Sequence, residues 1–202
     1  MMIHPNTELR FVSEEIGYGV FATEDIPLGT IIWVKDQLDR VIKKEDLQSF
    51  NQPNLENLLK YTYRDRNGDF IFCWDHTRFI NHSFYPNTMS TAMDFEIAIK
   101  DIKKDEEITN DYGTLNIIEP FKCERSISNR DMVKCDDLLY FSKDWDCQLE
   151  VASKLIFSVS QPLEKFLSRD QNMKLHLIKS GKMKFPSILN NYFENHNSAS
   201  EK

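Results

Sequence analysis

The segment R-F-I-N-H-S-F-Y-P-N, at residues 78–87, concentrates side chains that could bind a ligand or carry out chemistry. Between Asn81 and Asn87 it holds two amides, an imidazole and a serine hydroxyl. Such groups are costly in an apolar core unless each one is hydrogen-bonded. The segment therefore predicts either a surface loop or a polar pocket, and His82 taken alone is most simply a structural histidine.

Two further segments could contribute to the same kind of site. Gly17-Tyr18-Gly19 places glycines two residues apart, which lets the backbone approach a ligand or turn sharply. It is not a dinucleotide-binding fingerprint, because no third glycine follows at the required spacing. Tyr112, which precedes Gly113, could be a structural tyrosine at the end of a strand. Each segment alone is a weak indication of function.

The elements that must position these residues are predicted to be β-strands. Gly17–Ala22 leads into one strand, and the β-branched run Thr30–Val34 predicts another. Asn67-Gly68 lies between two aromatic runs, a strong signal for a β-hairpin. The alternation in Phe95–Ile99 predicts a half-buried strand.

A short pattern occurs twice in this β-rich part. The form A-x-x-D-I-x5-I begins at Ala22 and again at Ala98. Gly29 and Asp105 occupy the turn position of the two copies. The repeat indicates one strand–turn–strand unit used twice, although a chance match over eleven residues is an open alternative.

Helical periodicity dominates after about Pro120. Leu149, Ala152, Ile156 and neighbouring apolar residues would share one helix face. The final segment, Asn195–Lys202, is polar and is expected to be disordered. The predicted helices are Glu45–Phe50, Leu55–Lys60, Asp136–Phe141, Trp145–Val159, Gln161–Leu167 and Phe185–Phe193.

Composition narrows the possible partners. The 202 residues carry 25 Lys and Arg against 32 Asp and Glu, a net charge of −7. An acidic chain is poorly suited to a phosphate backbone, so no direct nucleic-acid binding is expected, whereas a basic protein partner would fit. No apolar run could span a membrane, and no secretory signal is visible at the first residues. The expected location is intracellular and cytoplasmic, or nuclear in a eukaryote.

Taken together and in this order, the three segments resemble the SET family of protein-lysine methyltransferases. Residues 17–22 are similar to its G-x-G-V-x-A opening, and residues 78–87 to R-F-x-N-H-S-x-x-P-N. Residues 107–113 are similar to E-[LI]-T-x-D-Y-G. The resemblance implies a mainly β fold of small sheets with a pseudo-knot, followed by an α-helical C-terminal region. The implied SET domain covers residues 8–118, with a variable insert at about 35–74, and the helical region covers residues 119–202.

The resemblance also implies an activity and a site. The family transfers a methyl group from S-adenosylmethionine to the ε-amine of a lysine in a protein substrate. Carried over residue by residue, the cofactor would be held by the Gly17-Tyr18-Gly19 backbone, the Phe79 main chain, Asn81, His82 and Tyr112. Tyr112 would stand at the methyl-transfer point as the catalytic residue. Tyr61 and Tyr63, in the insert, are candidate residues of the lysine channel.

The sequence departs from the family at two informative positions. Phe84 stands where many members carry a zinc-binding Cys, and the tail lacks a close Cys cluster. No zinc or other metal is therefore expected. Asn110 stands where the family often has Phe or Tyr. Candidates to cover the cofactor or wall the channel, with core packing as the alternative role, are Phe121, Phe141 and Trp145.

Two alternative functions stay open at this point. One is a catalytically silent SET-like module that binds a peptide or protein partner. The other is a methyltransferase that acts on a small amine or on a protein other than a histone. Neither the target lysine nor the number of methyl groups added follows from the sequence.

Overall fold

A computed structural model of the chain describes residues 2–123 and 130–194. Within these ranges it has short strands in its first two thirds and helices in its last third. The strands are β1 (Thr7–Ser13), β2 (Gly17–Ala22), β3 (Ile31–Val34), β4 (Arg40–Ile42), β5 (Thr62–Arg64), β6 (Phe70–Phe72), β7 (Asn81–His82), β8 (Thr88–Ser90), β9 (Phe95–Ala98), β10 (Glu107–Asn110), β11 (Phe121–Lys122) and β12 (Met132–Val133). The helices are α1 (Gln52–Tyr61), α2 (Asp137–Leu155) and α3 (Arg169–Lys179), with 3-10 turns at Lys44–Ser49, His76–Phe79, Tyr112–Thr114, Glu164–Phe166 and Ile188–Asn191.

A four-stranded sheet, in the order β1-β2-β10-β7, brings the sequence motifs together. Strand β10 runs antiparallel to β2 and parallel to β7. The parallel pairing sets Thr109 opposite Asn81 and Asn110 opposite His82. Two segments that are distant along the chain therefore lie side by side, as the expected fold requires.

The region predicted as an insert forms its own three-stranded sheet, in the order β4-β6-β5. Strands β5 and β6 pair antiparallel across the turn that ends at Gly68, whose φ is +80°, so the hairpin prediction is confirmed. Helix α1 begins after Asn51, whose side chain caps it by accepting the Asn54 N–H at 3.0 Å. Pro53 therefore lies in the first turn of this helix rather than between two helices.

The strand at Phe95–Ala98 exists, but the prediction that it is half-buried is wrong. All four residues of β9 are buried. Phe95 and Ile97 pack with the C-terminal helices, and Ala98 belongs to a second core cluster with β2 and β10. Both faces of this short strand are therefore buried. The alternation in the sequence predicted only one buried face.

The two copies of the repeated pattern lie side by side and are hydrogen-bonded to each other. Ile26 and Ile102 exchange two backbone hydrogen bonds, at 2.8 and 2.9 Å. The carboxylate of Asp25 accepts the N–H of Lys104, and the carboxylate of Asp101 accepts the N–H of Leu28, both at 2.9 Å. The turn residues Gly29 and Asp105 both have positive φ, +90° and +67°. The prediction of one strand–turn–strand unit used twice is confirmed, and the two copies make reciprocal hydrogen bonds.

The C-terminal region is helical, as predicted, but its elements differ from those predicted. Helix α2 is continuous over two segments that the sequence separated, and helix α3 was not predicted. Its signal is a capping box, in which Ser168 and Gln171 exchange side-chain to backbone hydrogen bonds. The predicted helix Phe185–Phe193 holds only the turn Ile188–Asn191. The tail predicted to be disordered, 195–202, lies outside the described residues.

One hydrophobic core joins the sheets to the helices. Strands β3, β8 and β9 contribute Ile31, Met89 and Ile97, and α2 contributes Leu138 and Leu149 to the same buried cluster. The domain boundary predicted at 118/119 therefore crosses a shared core and stays a prediction. None of the helices within the described ranges is long and apolar enough to cross a membrane.

Candidate active site

Asn81 and Glu107 hold the Gly17-Tyr18-Gly19 segment close to the neighbouring strands. The Asn81 side-chain amide donates to the Tyr18 carbonyl at 3.1 Å and to the Glu107 carboxylate at 2.7 Å. A Cβ on Gly19 would overlap the Glu107 carboxylate and press on the Asn81 amide, so a larger residue here would displace the two side chains that contact this segment. Gly17 adopts a left-handed φ of +86° with open space around its Cα, which leaves this backbone accessible.

His82 connects the second motif to the third. Its Nδ1 accepts the backbone N–H of Tyr112 at 3.2 Å, which assigns the ring proton to Nε2. Burial, aided by the positive charge of Arg130, lowers the pKa of His82 to about 4, so the ring is neutral near pH 7. Nε2 is buried and has no hydrogen-bond partner among the described residues. A buried donor of this kind suits a ligand that can accept its hydrogen bond.

The hydroxyl of Tyr112 is held in one orientation. It donates to the carbonyl of Ile80 at 2.7 Å, which leaves its oxygen lone pairs free to accept. Burial raises the pKa of Tyr112, and the negative charges of Glu96 and Glu107 raise it further. The phenol therefore stays protonated at physiological pH.

Tyr112 lines a cavity of about 480 Å³ that is large enough for a substrate side chain. The predicted insert contributes Tyr61 and Tyr63 to its wall, which makes them residues of this cavity as expected. Its polar lining includes Glu96, Asn110 and Ser90. Its remaining aromatic lining residues are Trp33, Phe70, Phe95 and Phe121.

Phe121 and Phe84 surround the imidazole. The ring centroid of His82 lies 4.5 Å from that of Phe84 and 5.5 Å from that of Phe121. Phe121 is also 6.1 Å from the Tyr112 ring. Among the three aromatic candidates, Phe121 therefore lies at this site, while Phe141 and Trp145 pack on the guanidinium of Arg130.

Phe79, the remaining predicted cofactor residue, lies between the glycine segment and the cavity. Its ring centroid is 6.3 Å from that of Tyr18 and 5.3 Å from that of Tyr61. The guanidinium of Arg78 lies over the same ring, at 4.8 Å. Every predicted site residue is thus found in one connected region of the molecule.

Sequence reasoning assigned no role in the site to Glu96, Glu107 or Arg130, although Glu107 begins the third motif. Glu107 and Arg130 are joined to the site by side-chain contacts across the fold, and no local pattern indicates such contacts. Glu96 did have a signal, because it is the one charged residue in the apolar run Phe95–Ile99. No group of three or more His, Cys, Asp or Glu in the described ranges could hold a metal ion.

Comparison with known proteins places this site in a family. Residues 17–113 match the family model of the SET domain, a span that contains all three motifs. Residues 17–113 are therefore a SET domain, with the small sheets of that fold, and helices follow it in the chain.

Other comparisons add little to this assignment. A crystal structure of a Plasmodium falciparum protein, named as a candidate histone methyltransferase, is 22% identical to the chain. The match covers 55% of the chain and 95% of the parasite protein, with a TM-score of 0.39. A similarity at this level does not define activity or substrate. No curated protein matches the chain significantly.

Proposed function

We propose that this protein transfers a methyl group from S-adenosylmethionine to the ε-amine of a lysine in a protein substrate. One observation carries the proposal. Three motifs that are far apart in the sequence converge around Tyr112, at the wall of an aromatic cavity. SET-domain methyltransferases as a family use S-adenosylmethionine, which when bound supplies a reactive methyl group on a sulfonium.

The residues at the glycine segment fit such a cofactor. Gly17 leaves backbone accessible, and the lack of a side chain at Gly19 allows the close approach of Asn81. The unpartnered Nε2 of His82 offers a buried donor. In the proposal the Gly17-Tyr18-Gly19 backbone, Phe79, Asn81 and His82 hold the cofactor, and the Phe121 ring lies beside them.

The cavity suits a lysine side chain. Its aromatic walls would desolvate the amine and so lower the amine pKa toward the neutral form that can attack. The Tyr112 oxygen, whose proton is engaged by Ile80, can accept a weak C–H···O contact from a polarised methyl group. Catalysis would come chiefly from alignment in a dry channel.

The substrate class follows from charge and remains a proposal. A net charge of −7 favours a basic, lysine-rich protein segment over nucleic acid. We propose an intracellular location, cytoplasmic or nuclear in a eukaryote, in keeping with four unpaired cysteines. Cell fractionation would test this location.

Calorimetric titration with S-adenosylmethionine and with its demethylated product tests the cofactor site. We expect one-to-one binding that Asn81→Ala weakens by about tenfold, because the amide that fixes the Tyr18 carbonyl is lost. Asn57→Ala, on the exposed face of α1, is the matched control and should bind normally. Absence of binding at millimolar cofactor would favour a silent module instead.

Methyl transfer itself requires an acceptor. An array of lysine-centred peptides incubated with methyl-labelled cofactor should show label on a subset of basic peptides, and replacing the lysine by arginine should abolish it. Cofactor binding without label on any peptide would argue against lysine methylation and in favour of another acceptor.

A further inference from the structure

Glu96 is a buried carboxylate in the wall of the candidate lysine cavity. It lies on β9 and lines the same cavity as Tyr112. Only 5% of the residue is exposed. Its side chain is hydrogen-bonded to the hydroxyl of Thr88, and the Asn110 side chain lies close enough to favour its charged form. The Glu96 side chain is therefore held among neutral polar side chains.

No cation neutralises this carboxylate within the described ranges, where Glu96 takes part in no ion pair. Buried charges in proteins are normally paired, so an isolated one at a cavity suggests a missing partner. The hydroxyl of Thr77, another residue of the cavity wall, is also buried without a hydrogen-bond partner among the described residues and can accept one. This cavity is equipped for a polar, cationic occupant.

We propose that Glu96 receives the ammonium of the acceptor lysine and takes one of its protons before methyl transfer. This inference rests on the proposed function and names a group within the same site that would do chemistry. The aromatic neighbours Trp33, Tyr63 and Tyr112 agree with it, because aromatic rings attract a cation.

Proton transfer from the ammonium to Glu96 precedes methyl transfer. One N–H bond of the ammonium breaks, and its proton forms an O–H bond on Glu96. The nitrogen lone pair released in this way then forms the bond to the methyl carbon of the sulfonium donor, while the carbon–sulfur bond breaks and its electron pair stays on sulfur. The methylated amine carries the positive charge, and the proton on Glu96 is later lost to solvent.

Electrostatics favour a carboxylate at this position. A sulfonium and an ammonium in one dry cavity repel each other, and an anion beside them offsets that repulsion. Burial raises the pKa of Glu96 to about 7, so it can both ionise and accept a proton near neutral pH. Among the described titratable groups, Tyr112 and Cys73 feel its charge, and burial raises the pKa of each so that both stay neutral.

Glu96→Gln tests the role, with the most readily labelled peptide of the array as acceptor. The amide can keep the Thr88 hydrogen bond, so cofactor affinity should stay within about twofold of the wild type. We expect kcat at pH 7 to fall by about a hundredfold or more, the range for loss of a general base. Glu150→Gln, on the exposed face of α2, is the control and should retain full activity.

An acceptor with a more acidic amine separates proton transfer from mere binding. Aminoethylation of a cysteine places sulfur in the lysine side chain and lowers the amine pKa. The deficit of Glu96→Gln should shrink with this analogue, because less help is needed to remove the proton. A defect confined to KM, or an equal loss of kcat with both acceptors, would overturn the proposal.

The wild-type protein provides a test that does not depend on the variant folding. Its kcat/KM should rise with pH through about 7, the pKa of Glu96, and this rise should not move when the analogue replaces lysine. A rise in kcat/KM that follows the amine pKa would refute the role of Glu96 but not the proposed function. Failure of the wild type to methylate any peptide would refute the proposed function and this inference together.

Discussion

Among the described residues, the hydroxyl of Tyr112 makes one hydrogen bond, to the carbonyl of Ile80, and this predicts the effect of its removal. Tyr112→Phe should leave fold and cofactor affinity nearly unchanged, since one neutral hydrogen bond contributes about 1 kcal/mol. It should lower kcat by about a hundredfold or more, because the acceptor facing the methyl group is lost. Methyl-transfer kinetics and calorimetry measure the two effects.

A matched control for that experiment is Tyr140→Phe, which alters a tyrosine that is 70% exposed on α2. This variant should behave as the wild type in both assays. Near-normal turnover of Tyr112→Phe would remove the assigned catalytic role of the hydroxyl, whereas loss of cofactor binding would assign it a structural role.

Glu96 should also affect how the free energy of unfolding depends on pH. Its folded-state pKa of about 7 lies above the usual value of 4.5, so the folded protein binds more protons between these limits. The contribution of Glu96 to stability is thus present below about pH 4.5 and is lost as pH rises through 7. The Glu96→Gln variant has no carboxylate to ionise, so it should not lose this stability as the pH rises.

The variant should therefore be more stable than the wild type at pH 8, by up to roughly 3 kcal/mol at 1.36 kcal/mol per pKa unit. At pH 4.5 the two proteins should be nearly equal. Urea unfolding at both pH values measures the difference. A variant that is less stable at pH 8 would mean that the carboxylate stabilises the fold rather than serving a ligand.

At the scale of elements, Arg130 joins the third motif to the helical region. Its guanidinium forms ion pairs with Asp111 and Asp137, whose side chains are each 2% exposed. It also lies over the rings of Phe84 and Phe141, at 4.7 and 4.5 Å. Phe84 is the residue that stands where many family members carry a zinc ligand. In this chain Arg130 and its aromatic neighbours lie at this position, between the third motif and the helical region.

Arg130→Met should cost about 3–5 kcal/mol of unfolding free energy at pH 7.5, because two buried carboxylates lose their partner. The loss should be smaller at pH 5, because burial raises the pKa of Asp111 and makes it easier for this carboxylate to take up a proton. Lys154→Met, which removes an exposed ion pair on α2, should change stability little. An equal and small effect of both variants in urea unfolding would show that the buried pairs do not hold the helices in place.

At the scale of the whole molecule, sheets and helices depend on the same core. Ile31 and Ile97 are fully buried in a cluster that also contains Leu149 and Ala152 of α2. A chain truncated after residue 118 would expose this apolar surface, at a cost of about 25 cal/mol per Å². We therefore expect it to be unfolded or aggregated, by circular dichroism and gel filtration. A soluble, folded fragment would instead establish the predicted boundary as that of an independent domain.

Much of the fold and site was predictable because the signals are local. The glycine segment, the hairpin at Asn67-Gly68 and the twice-used unit each depend on residues close together in the chain. The motif residues Asn81, His82 and Tyr112 were found from residue type and order. Helix α3 was not predicted, although the residues of its capping box are visible in the sequence. A full helix was wrongly predicted at Phe185–Phe193, because apolar spacing alone does not distinguish a helix from extended chain packed on a core.

By itself, the sequence indicated the resemblance to the SET family and the residues predicted to hold a cofactor. Only the tertiary structure decided that both faces of β9 are covered, that Glu96 lies in the cavity with Tyr112, and that Arg130 joins two buried carboxylates. The physical reason is the range of the interactions. Turns, caps and strand propensity act over a few residues, whereas burial and charge pairing are set by partners tens of residues away.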